Sequence, residues 1–265
     1  MCQLVRWRPT CIAFVVALFM APGHWDVTGV RAIVIMLVTA AGFALNDWCD
    51  VEIDKMREPS RPIPAGMIGR TQAIGIAAAL FAAANLIAYA SNRQTYGVVA
   101  IATLLACAYS PWLKRGGLVG NGAMGILAGL VPLYTMAQGE NMGGVVMIAL
   151  TASTYVFGRE VMLDVLHAQA DAKGGRRTLA VVASRRVALL VGRGALFVSA
   201  VLCCIVGAFA VQGSVVAALG GLTIAMLASR LRTSCADADI ARVMSVSLYA
   251  MLVVIPIAWI VGVHP

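Results

Sequence analysis

MLVTAAGFALNDWCDVEIDKMREPSRPIPAG, residues 36–66, joins an apolar run directly to a group of acidic side chains. The run has the composition of a membrane-spanning helix, and carboxylates at a membrane boundary are costly unless they contact water, protein or a cation. On a helix, Asp47, Asp50 and Asp54 are spaced i, i+3 and i+7 and share one face. Oxygen ligands clustered in this way suit Mg²⁺, which shares its coordination shell between carboxylates and substrate phosphates. The stretch therefore predicts a membrane helix that ends in a functional magnesium site.

The composition of the whole chain is that of an integral membrane protein. Of its 265 residues, 61% are hydrophobic and 12% are charged, whereas soluble domains have about 25% charged residues. Apolar stretches long enough to cross the hydrocarbon core recur along the chain. We predict an all-α membrane protein with nine helices, over about residues 10–23, 29–47, 70–91, 95–112, 119–138, 143–162, 186–210, 214–230 and 241–263.

Positive charges are divided unequally between the predicted loops. Lys and Arg cluster before the first predicted helix and after the second, fourth, sixth and eighth, whereas the alternate loops offer only Arg31 and Arg93. Because cytoplasmic loops carry the Lys and Arg excess, this pattern predicts a multi-pass protein of the cell membrane with the N-terminus and the acidic stretch on the cytoplasmic side. The net charge of +8 favours the lipid bilayer and diphosphates as partners, and nothing in it requires nucleic acid.

A second stretch, GREVMLDVLHAQADAKGGRRTLAV at residues 158–181, repeats the spacing of the first. Asp164, His167 and Asp171 are again at i, i+3 and i+7, and both stretches are followed by a cationic loop. Two carboxylate clusters that face each other repel unless divalent cations lie between them. With Mg²⁺ and nearby Lys or Arg, such a site binds a polyanion. Apolar helices beside the clusters accommodate a hydrocarbon chain, so the combination predicts a site for an isoprenyl diphosphate.

At these motifs the sequence resembles the UbiA superfamily of intramembrane prenyltransferases. Residues 46–66 match the first aspartate-rich signature of that family, and residues 158–181 align with its second. YSPWLKRGGLVGN, residues 109–121, resembles the connection after the fourth helix of the family. The resemblance implies a single domain over residues 1–265, folded as a bundle of nine transmembrane helices around a central apolar cavity with a cytoplasmic cap.

The resemblance also implies roles for individual residues. The first motif would hold one Mg²⁺ ion and the second motif another. The metal ligands expected on this basis are Asn46, Asp47, Asp50, Asp54, Asp164 and Asp171, of which Asp50, Asp54, Asp164 and Asp171 are also the expected catalytic residues. The residues expected to bind the diphosphate are Arg57, Arg61, Tyr109, Lys114 and His167.

The second motif departs from the family pattern at three positions. His167 stands where relatives usually have an aspartate, Leu163 where many have a lysine, and Ala170 where glycine is common. One carboxylate fewer weakens the second Mg²⁺ site. His167 either binds the diphosphate when it is protonated or only lines the cavity, and both alternatives are open.

The function implied by the resemblance is Mg²⁺-dependent transfer of an isoprenyl group from a prenyl diphosphate to a lipophilic, aromatic acceptor. The reaction would proceed by ionisation to an allylic carbocation, which metal ions and cationic side chains favour. The alternative is a membrane terpene cyclase that ionises the same diphosphate and uses no acceptor. A non-catalytic lipid carrier is less favoured, because the two polar triads lie at one membrane face and not at mid-bilayer.

Overall fold

The computed structural model describes Leu4 and residues 6–19, 25–136, 142–209, 214–231 and 236–246. This part of the chain is helical and contains no strand. Its helices are α1 (Trp7–Phe19), α2 (Trp25–Cys49), α3 (Val51–Arg57), α4 (Arg70–Ser91), α5 (Arg93–Tyr109), α6 (Leu118–Met136), α7 (Met142–Lys173), α8 (Leu179–Val182), α9 (Arg185–Phe209) and α10 (Ser214–Arg230). A 3₁₀ turn covers Leu113–Gly116, and residues 237–246 are helical.

Within the described residues, five helical segments are long and apolar enough to cross a membrane. They are Asp26–Cys49, Arg70–Ser91, Leu118–Thr135, Met142–Lys173 and Arg185–Val206. The prediction of an all-α, multi-pass membrane protein is therefore confirmed, and the predicted helix over residues 70–91 coincides with α4. The ninth predicted helix, 241–263, lies mostly outside the described residues, so the number of membrane crossings stays a prediction.

Residues 1–112 form one compact unit. In this unit α2 packs against α1 and α4, and α4 packs against α5. The buried face of α4 is mostly alanine, at spacings of three and four residues, which lets its backbone approach α2 closely. The residues of this face are Ala73, Ala77, Phe81, Ala84 and Ala88. The packing fixes α2, whose C-terminal end carries the first acidic motif.

Residues 113–265 form a second compact unit, in which α7 packs against both α6 and α9. Glycines allow the close approach on each side. A Cβ atom on Gly158 would lie 2.9 Å from the carbonyl oxygen of Gly192 on α9, and one on Gly125 would lie 2.8 Å from the carbonyl oxygen of Ser153. Because α7 is held from two sides, the polar residues of the second motif have a rigid support.

Candidate functional site

The first acidic motif begins on α2 and continues through a bend onto α3. Asp50 lies at the bend, between Cys49 at the end of α2 and Val51 at the start of α3. The backbone N–H of Asp50 donates to the carbonyl of Asn46 at 2.9 Å, and the N–H of Asp54 donates to the carbonyl of Asp50 at 2.8 Å. Helical hydrogen bonding therefore crosses the bend and preserves the spacing that the sequence predicts.

Arg61 connects three carboxylates of this unit. Its Nη1 donates to Asp54 Oδ2 at 2.8 Å and to Asp47 Oδ1 at 3.2 Å. Its Nε and Nη2 form a bidentate pair with Glu58, at 2.8 and 3.0 Å. A second cation, Arg6, donates from Nη2 to Asp47 Oδ1 at 2.7 Å. The buried Asp47 carboxylate is thus bonded to two guanidinium groups, and Asp54 to one.

The loop after α3 places Arg61 against these carboxylates. The N–H of Ala65 donates to the carbonyl of Arg61 at 2.9 Å, and the N–H of Met67 donates to the carbonyl of Pro62 at 2.9 Å. Gly66 has φ of 71°, a left-handed conformation that glycine adopts without steric cost. The segment PSRPIPAG is therefore a defined set of turns, and this explains why Pro and Gly follow the acidic residues.

Burial and charge act in opposite directions at this cluster. Burial raises the pKa of the Asp54 carboxyl above its ordinary value, even though the charge and the hydrogen bond of Arg61 lower it. Burial disfavours the Arg61 cation as well, but its hydrogen bond to Glu58 and the charges of Asp54 and Asp47 outweigh burial and raise its pKa. Asp50 accepts a hydrogen bond from the neutral amide of Asn46 at 3.2 Å. The described network holds four carboxylates and two guanidinium groups, so it can accommodate a further cation.

The second motif lies entirely on α7, which corrects the predicted helix end at residue 162. The helix continues to Lys173, so the stretch between the predicted helices 143–162 and 186–210 is helical in its first part. The reason is that the apolar face of the helix does not stop at the first polar residue. Val161, Met162 and Val165 are all buried in the core of this unit, and their spacing requires the helix to continue past Asp164.

The two aspartates of the second motif have separate partners. Asp164 accepts a hydrogen bond from Asn121 Nδ2 on α6 at 2.8 Å. Asp171 is 1% exposed, and Arg176 Nη1 lies 3.4 Å from its Oδ1. His167, which lies between them in the sequence, is exposed. Sequence reasoning missed Asn121, Arg176 and Arg6 as partners of the acidic residues. The available signals were the place of Asn121 at the end of the quoted segment YSPWLKRGGLVGN and the cationic loop after the second motif, which contains Arg176.

A further polar group lies one helical turn before Asp164. Arg159 Nη1 bonds Glu160 Oε1 at 2.9 Å, and Lys114 and His167 lie within electrostatic reach of Glu160. Lys114 belongs to the 3₁₀ turn Leu113–Gly116. This turn is held close to the loop after α7, because the Arg177 N–H lies 3.4 Å from the carbonyl oxygen of Arg115. The structure thus brings Lys114 to the helix that carries the second motif.

Two predicted diphosphate ligands lie at helix ends. Tyr109 is half-buried and ends α5, while Arg57 ends α3 and its side chain falls outside the described part. No group of three His, Cys, Asp or Glu side chains that could hold a metal ion occurs among the described residues. Mg²⁺ does not require such a cage, since one or two carboxylates combine with water and substrate phosphates. The carboxylate and amide oxygens of Asp50 with Asn46, and of Asp164 with Asn121, fit this donor chemistry.

Comparison with known proteins establishes the family. The model of the UbiA prenyltransferase family matches residues 9–253. The chain belongs to the UbiA prenyltransferase family. This UbiA chain is 37% identical over 157 residues to the digeranylgeranylglyceryl phosphate synthase of Methanoculleus marisnigri, covering 58% of the chain and 56% of the relative. It is 38% identical over 152 residues to the synthase of Ignicoccus hospitalis, covering 55% of the chain and 50% of the relative. The chain therefore spans little more than half the length of these curated relatives.

Solved structures support the UbiA fold over nearly the whole chain. A structure of a digeranylgeranylglyceryl phosphate synthase aligns with a TM-score of 0.79 at 21% identity and covers 98% of this UbiA chain and 96% of its own. A UbiA homologue from Archaeoglobus fulgidus, bound to DMAPP and Mg²⁺, aligns with a TM-score of 0.72 at 15% identity and covers 96% and 98%. At these identities the likeness establishes the fold.

Proposed function

We propose that this chain catalyses Mg²⁺-dependent transfer of an isoprenyl group from a prenyl diphosphate to an acceptor of the glyceryl phosphate class. The observation that carries the proposal is the family match over residues 9–253, which includes both acidic motifs. A UbiA homologue of the same fold binds GPP together with Mg²⁺. The curated relatives reported above are named as synthases of digeranylgeranylglyceryl phosphate.

The proposed acceptor differs from the one that the sequence suggests. The aromatic acceptor has no support among the relatives reported above, whose names contain glyceryl phosphate. A glyceryl phosphate carries a hydroxyl nucleophile and a phosphate that requires cationic partners. The chain has an excess of Lys and Arg, 20 against 12 acidic residues, which favours the approach of anionic substrates.

The metal-binding roles follow from the donor atoms of each motif. We propose that Asn46, Asp50 and Asp54 hold one Mg²⁺ ion and that Asp164 and Asp171 hold another. Bound Mg²⁺ would supply Lewis-acid stabilisation of the leaving diphosphate. Asp47 is bonded to both Arg6 and Arg61, so it orients these cations beside the metal ligands.

Cationic side chains complete the proposed diphosphate site. We assign Arg57, Arg61 and Lys114 to the diphosphate oxygens, with Tyr109 as a hydrogen-bond donor. Four of the five N–H groups of Arg61 donate to Asp54, Asp47 and Glu58, so Arg61 would meet a phosphate oxygen with its remaining Nη2 N–H. His167 is exposed on α7 and lies near Glu160, so its contact with the diphosphate is the weaker assignment.

The proposed reaction exchanges the oxygen atom bonded to C1 and transfers one proton. The C1–O bond of the prenyl diphosphate breaks, and its electron pair leaves with the diphosphate. The acceptor hydroxyl oxygen bonds to C1, its O–H bond breaks, and the proton passes to the released diphosphate. Apolar walls exclude water, which would otherwise capture the allylic cation as an alcohol.

A product screen tests this function. The purified full-length protein in lipid nanodiscs receives Mg²⁺ and prenyl diphosphates of increasing length, with a prenylated glyceryl phosphate, an aromatic acid or no acceptor. We expect mass spectrometry to detect the acceptor plus one prenyl group only with the glyceryl phosphate, and no product with excess EDTA. Transfer to the aromatic acid alone contradicts the acceptor class. Cyclic hydrocarbon formed without an acceptor identifies a terpene cyclase, the alternative that His167 in the second motif keeps open.

We also propose the full family architecture for residues 1–265, a single domain with nine transmembrane helices around an apolar cavity and a cytoplasmic cap. The loop charges support an active site on the cytoplasmic side. Within residues 1–112, Met67 and Gln94 flank opposite ends of α4 and are both exposed. The 22 residues of α4 span about 33 Å at 1.5 Å per residue, enough to cross the hydrocarbon core.

Cysteine labelling tests this orientation. In a background without native cysteines, Met67→Cys should react with a membrane-impermeant maleimide only when the reagent reaches the cytoplasmic face. Gln94→Cys, the matched control on the other end of α4, should react only from the opposite face. Labelling of both positions from one side contradicts the proposed topology.

A further inference from the structure

Arg159 lies in a membrane-spanning helix and is outside the proposed metal and diphosphate sites. It belongs to α7, within the candidate span Met142–Lys173. Its side chain is 27% exposed, and charged groups within membrane segments mark functional sites by default. An arginine at such a position calls for a specific anionic partner.

Among the described residues, the guanidinium of Arg159 donates a hydrogen bond to one carboxylate, and another of its N–H donors has no acceptor. Nη1 bonds Glu160 Oε1 at 2.9 Å. The buried Nε has no hydrogen-bond acceptor among the described residues. An unsatisfied buried donor is uncommon in native proteins, and a ligand oxygen is one way in which it becomes satisfied. Since Glu160 holds one end of the group, the Nε edge is kept in a fixed orientation.

Nearby charges favour a phosphate at this edge. Lys114 lies within electrostatic reach of Glu160, so two cations, Arg159 and Lys114, lie near Glu160, whose charge also acts on Asp164. Arginine binds phosphate through parallel N–H donors, which a lysine cannot reproduce. The group therefore has both the charge and the geometry for a phosphoryl oxygen.

Two substrates of the proposed reaction carry phosphoryl groups, and the position of Arg159 favours the acceptor. The second metal-binding pair extends from Asp164 toward Asp171, whereas Arg159 lies about 7.5 Å along the axis in the other direction. A crossing of about 20 residues that starts at Met142 ends near residue 162. By this residue count Arg159 would lie within one turn of that boundary, near the level of the lipid headgroups.

We infer that Arg159 binds the phosphate of the acceptor and thereby selects a phosphorylated acceptor. The inference rests on the proposed transfer reaction for the identity of the acceptor. It assigns Arg159 a role separate from the diphosphate ligands, with Glu160 as the residue that orients its guanidinium. Loss of the planar donor set should weaken binding of the acceptor and leave binding of the prenyl diphosphate intact.

The test compares wild type with Arg159→Lys in nanodiscs. The probes are a glyceryl phosphate ether that carries one geranylgeranyl chain and the same ether without its phosphate. For Arg159→Lys we expect the KM of the phosphorylated ether to rise at least tenfold, with the KM of geranylgeranyl diphosphate within twofold. Arg159→Gln repeats the measurement with the charge removed. Arg186→Lys, at an exposed position of α9, is the matched control and should leave both constants unchanged.

A binding titration without Mg²⁺ or turnover tests the role of Arg159 separately from the proposed transfer reaction. Wild type should bind the phosphorylated ether at least tenfold more tightly than the unphosphorylated one, and Arg159→Lys should lose this preference. Equal preferences in the two proteins overturn the inference, as does a rise in the KM of the diphosphate that matches or exceeds that of the ether. If wild type binds the ether but transfers no prenyl group to it, the proposed function fails, and the titration still decides the role of Arg159.

Discussion

Asp50→Asn is expected to lower the rate of prenyl transfer by about a thousandfold, the scale seen when a transition-state electrostatic stabiliser is removed. The substitution keeps the volume of the side chain and an oxygen that can accept from Asn46, whose Nδ2 lies 3.2 Å from Asp50 Oδ2. It removes the negative charge that a Mg²⁺ ligand supplies. Asp47 and Asp54 are both bonded to Arg61, so neither replaces Asp50 without losing that contact. The measurement is kcat at saturating prenyl diphosphate over a Mg²⁺ titration.

Glu52→Gln is the matched control for this prediction. Glu52 lies two residues after Asp50, on the short helix α3, but its side chain is 71% exposed and pairs with Lys55 at the surface. Because exposed pairs contribute little, its activity should stay within twofold of wild type. Asp50→Asn that retains more than a tenth of the wild-type kcat would contradict the role proposed for the first motif.

The spacing of the acidic residues predicted the face that they share, although the predicted helix 29–47 ended before Asp50 and the short helix α3 was not among the predicted helices. A bend separates α2 from α3, yet the hydrogen bonds from Asp50 to Asn46 and from Asp54 to Asp50 keep the helical register. The i, i+3, i+7 pattern therefore survives because it depends only on local geometry. The same holds for α4, whose ends at Arg70 and Ser91 follow from a loop with Pro and Gly on one side and Asn92 on the other.

The C-terminal end of α7 was harder to predict. Residues 163–173 contain polar side chains, which suggest a loop, and apolar side chains at helical spacing, which suggest a helix. Asp164, His167 and Asp171 suggest a solvated connection when they are considered by residue type. The buried Val161 and Val165 show that the opposite face still packs in the core. Periodicity was the better guide here, since a helix ends when its apolar stripe ends and not where polar residues begin.

Contacts between distant residues could not be predicted from the sequence. Arg6 and Asp47 are 41 residues apart, and Asn121 and Asp164 are 43 apart. Neither spacing has a local signature, because such pairs depend on how whole helices pack. Sequence reasoning therefore identified the acidic residues but not the side chains that neutralise or orient them.

Arg61→Ala is expected to destabilise the protein by about 3–5 kcal/mol, the typical result of removing one partner from a buried ion pair. Arg61 is the common partner of Asp47, Asp54 and Glu58. Asp47 keeps Arg6 in the variant, and Glu58 is exposed enough for water to replace the lost contact. Asp54, with a side chain 6% exposed, is left buried without its cationic partner and accounts for most of the expected destabilisation.

Arg61→Lys keeps the charge but cannot reproduce the contacts with all three carboxylates, so its stability should fall between those of wild type and the alanine variant.

The pH dependence of stability in Arg61→Ala tests whether the buried Asp54 carboxyl causes the destabilisation. Burial already raises the pKa of Asp54 in the folded protein, and removal of the Arg61 charge raises it further. A carboxyl whose folded pKa exceeds its unfolded value favours folding below the unfolded pKa, and this contribution is lost as pH rises through the folded pKa. The loss of thermal stability in Arg61→Ala, relative to wild type, should therefore be larger at pH 7 than at pH 5.

Lys55→Ala, which breaks only the exposed pair with Glu52, is the control and should lower stability by less than about 1 kcal/mol at either pH. A loss for Arg61→Ala that is equal at both pH values would place its origin in packing and not in the buried charge of Asp54.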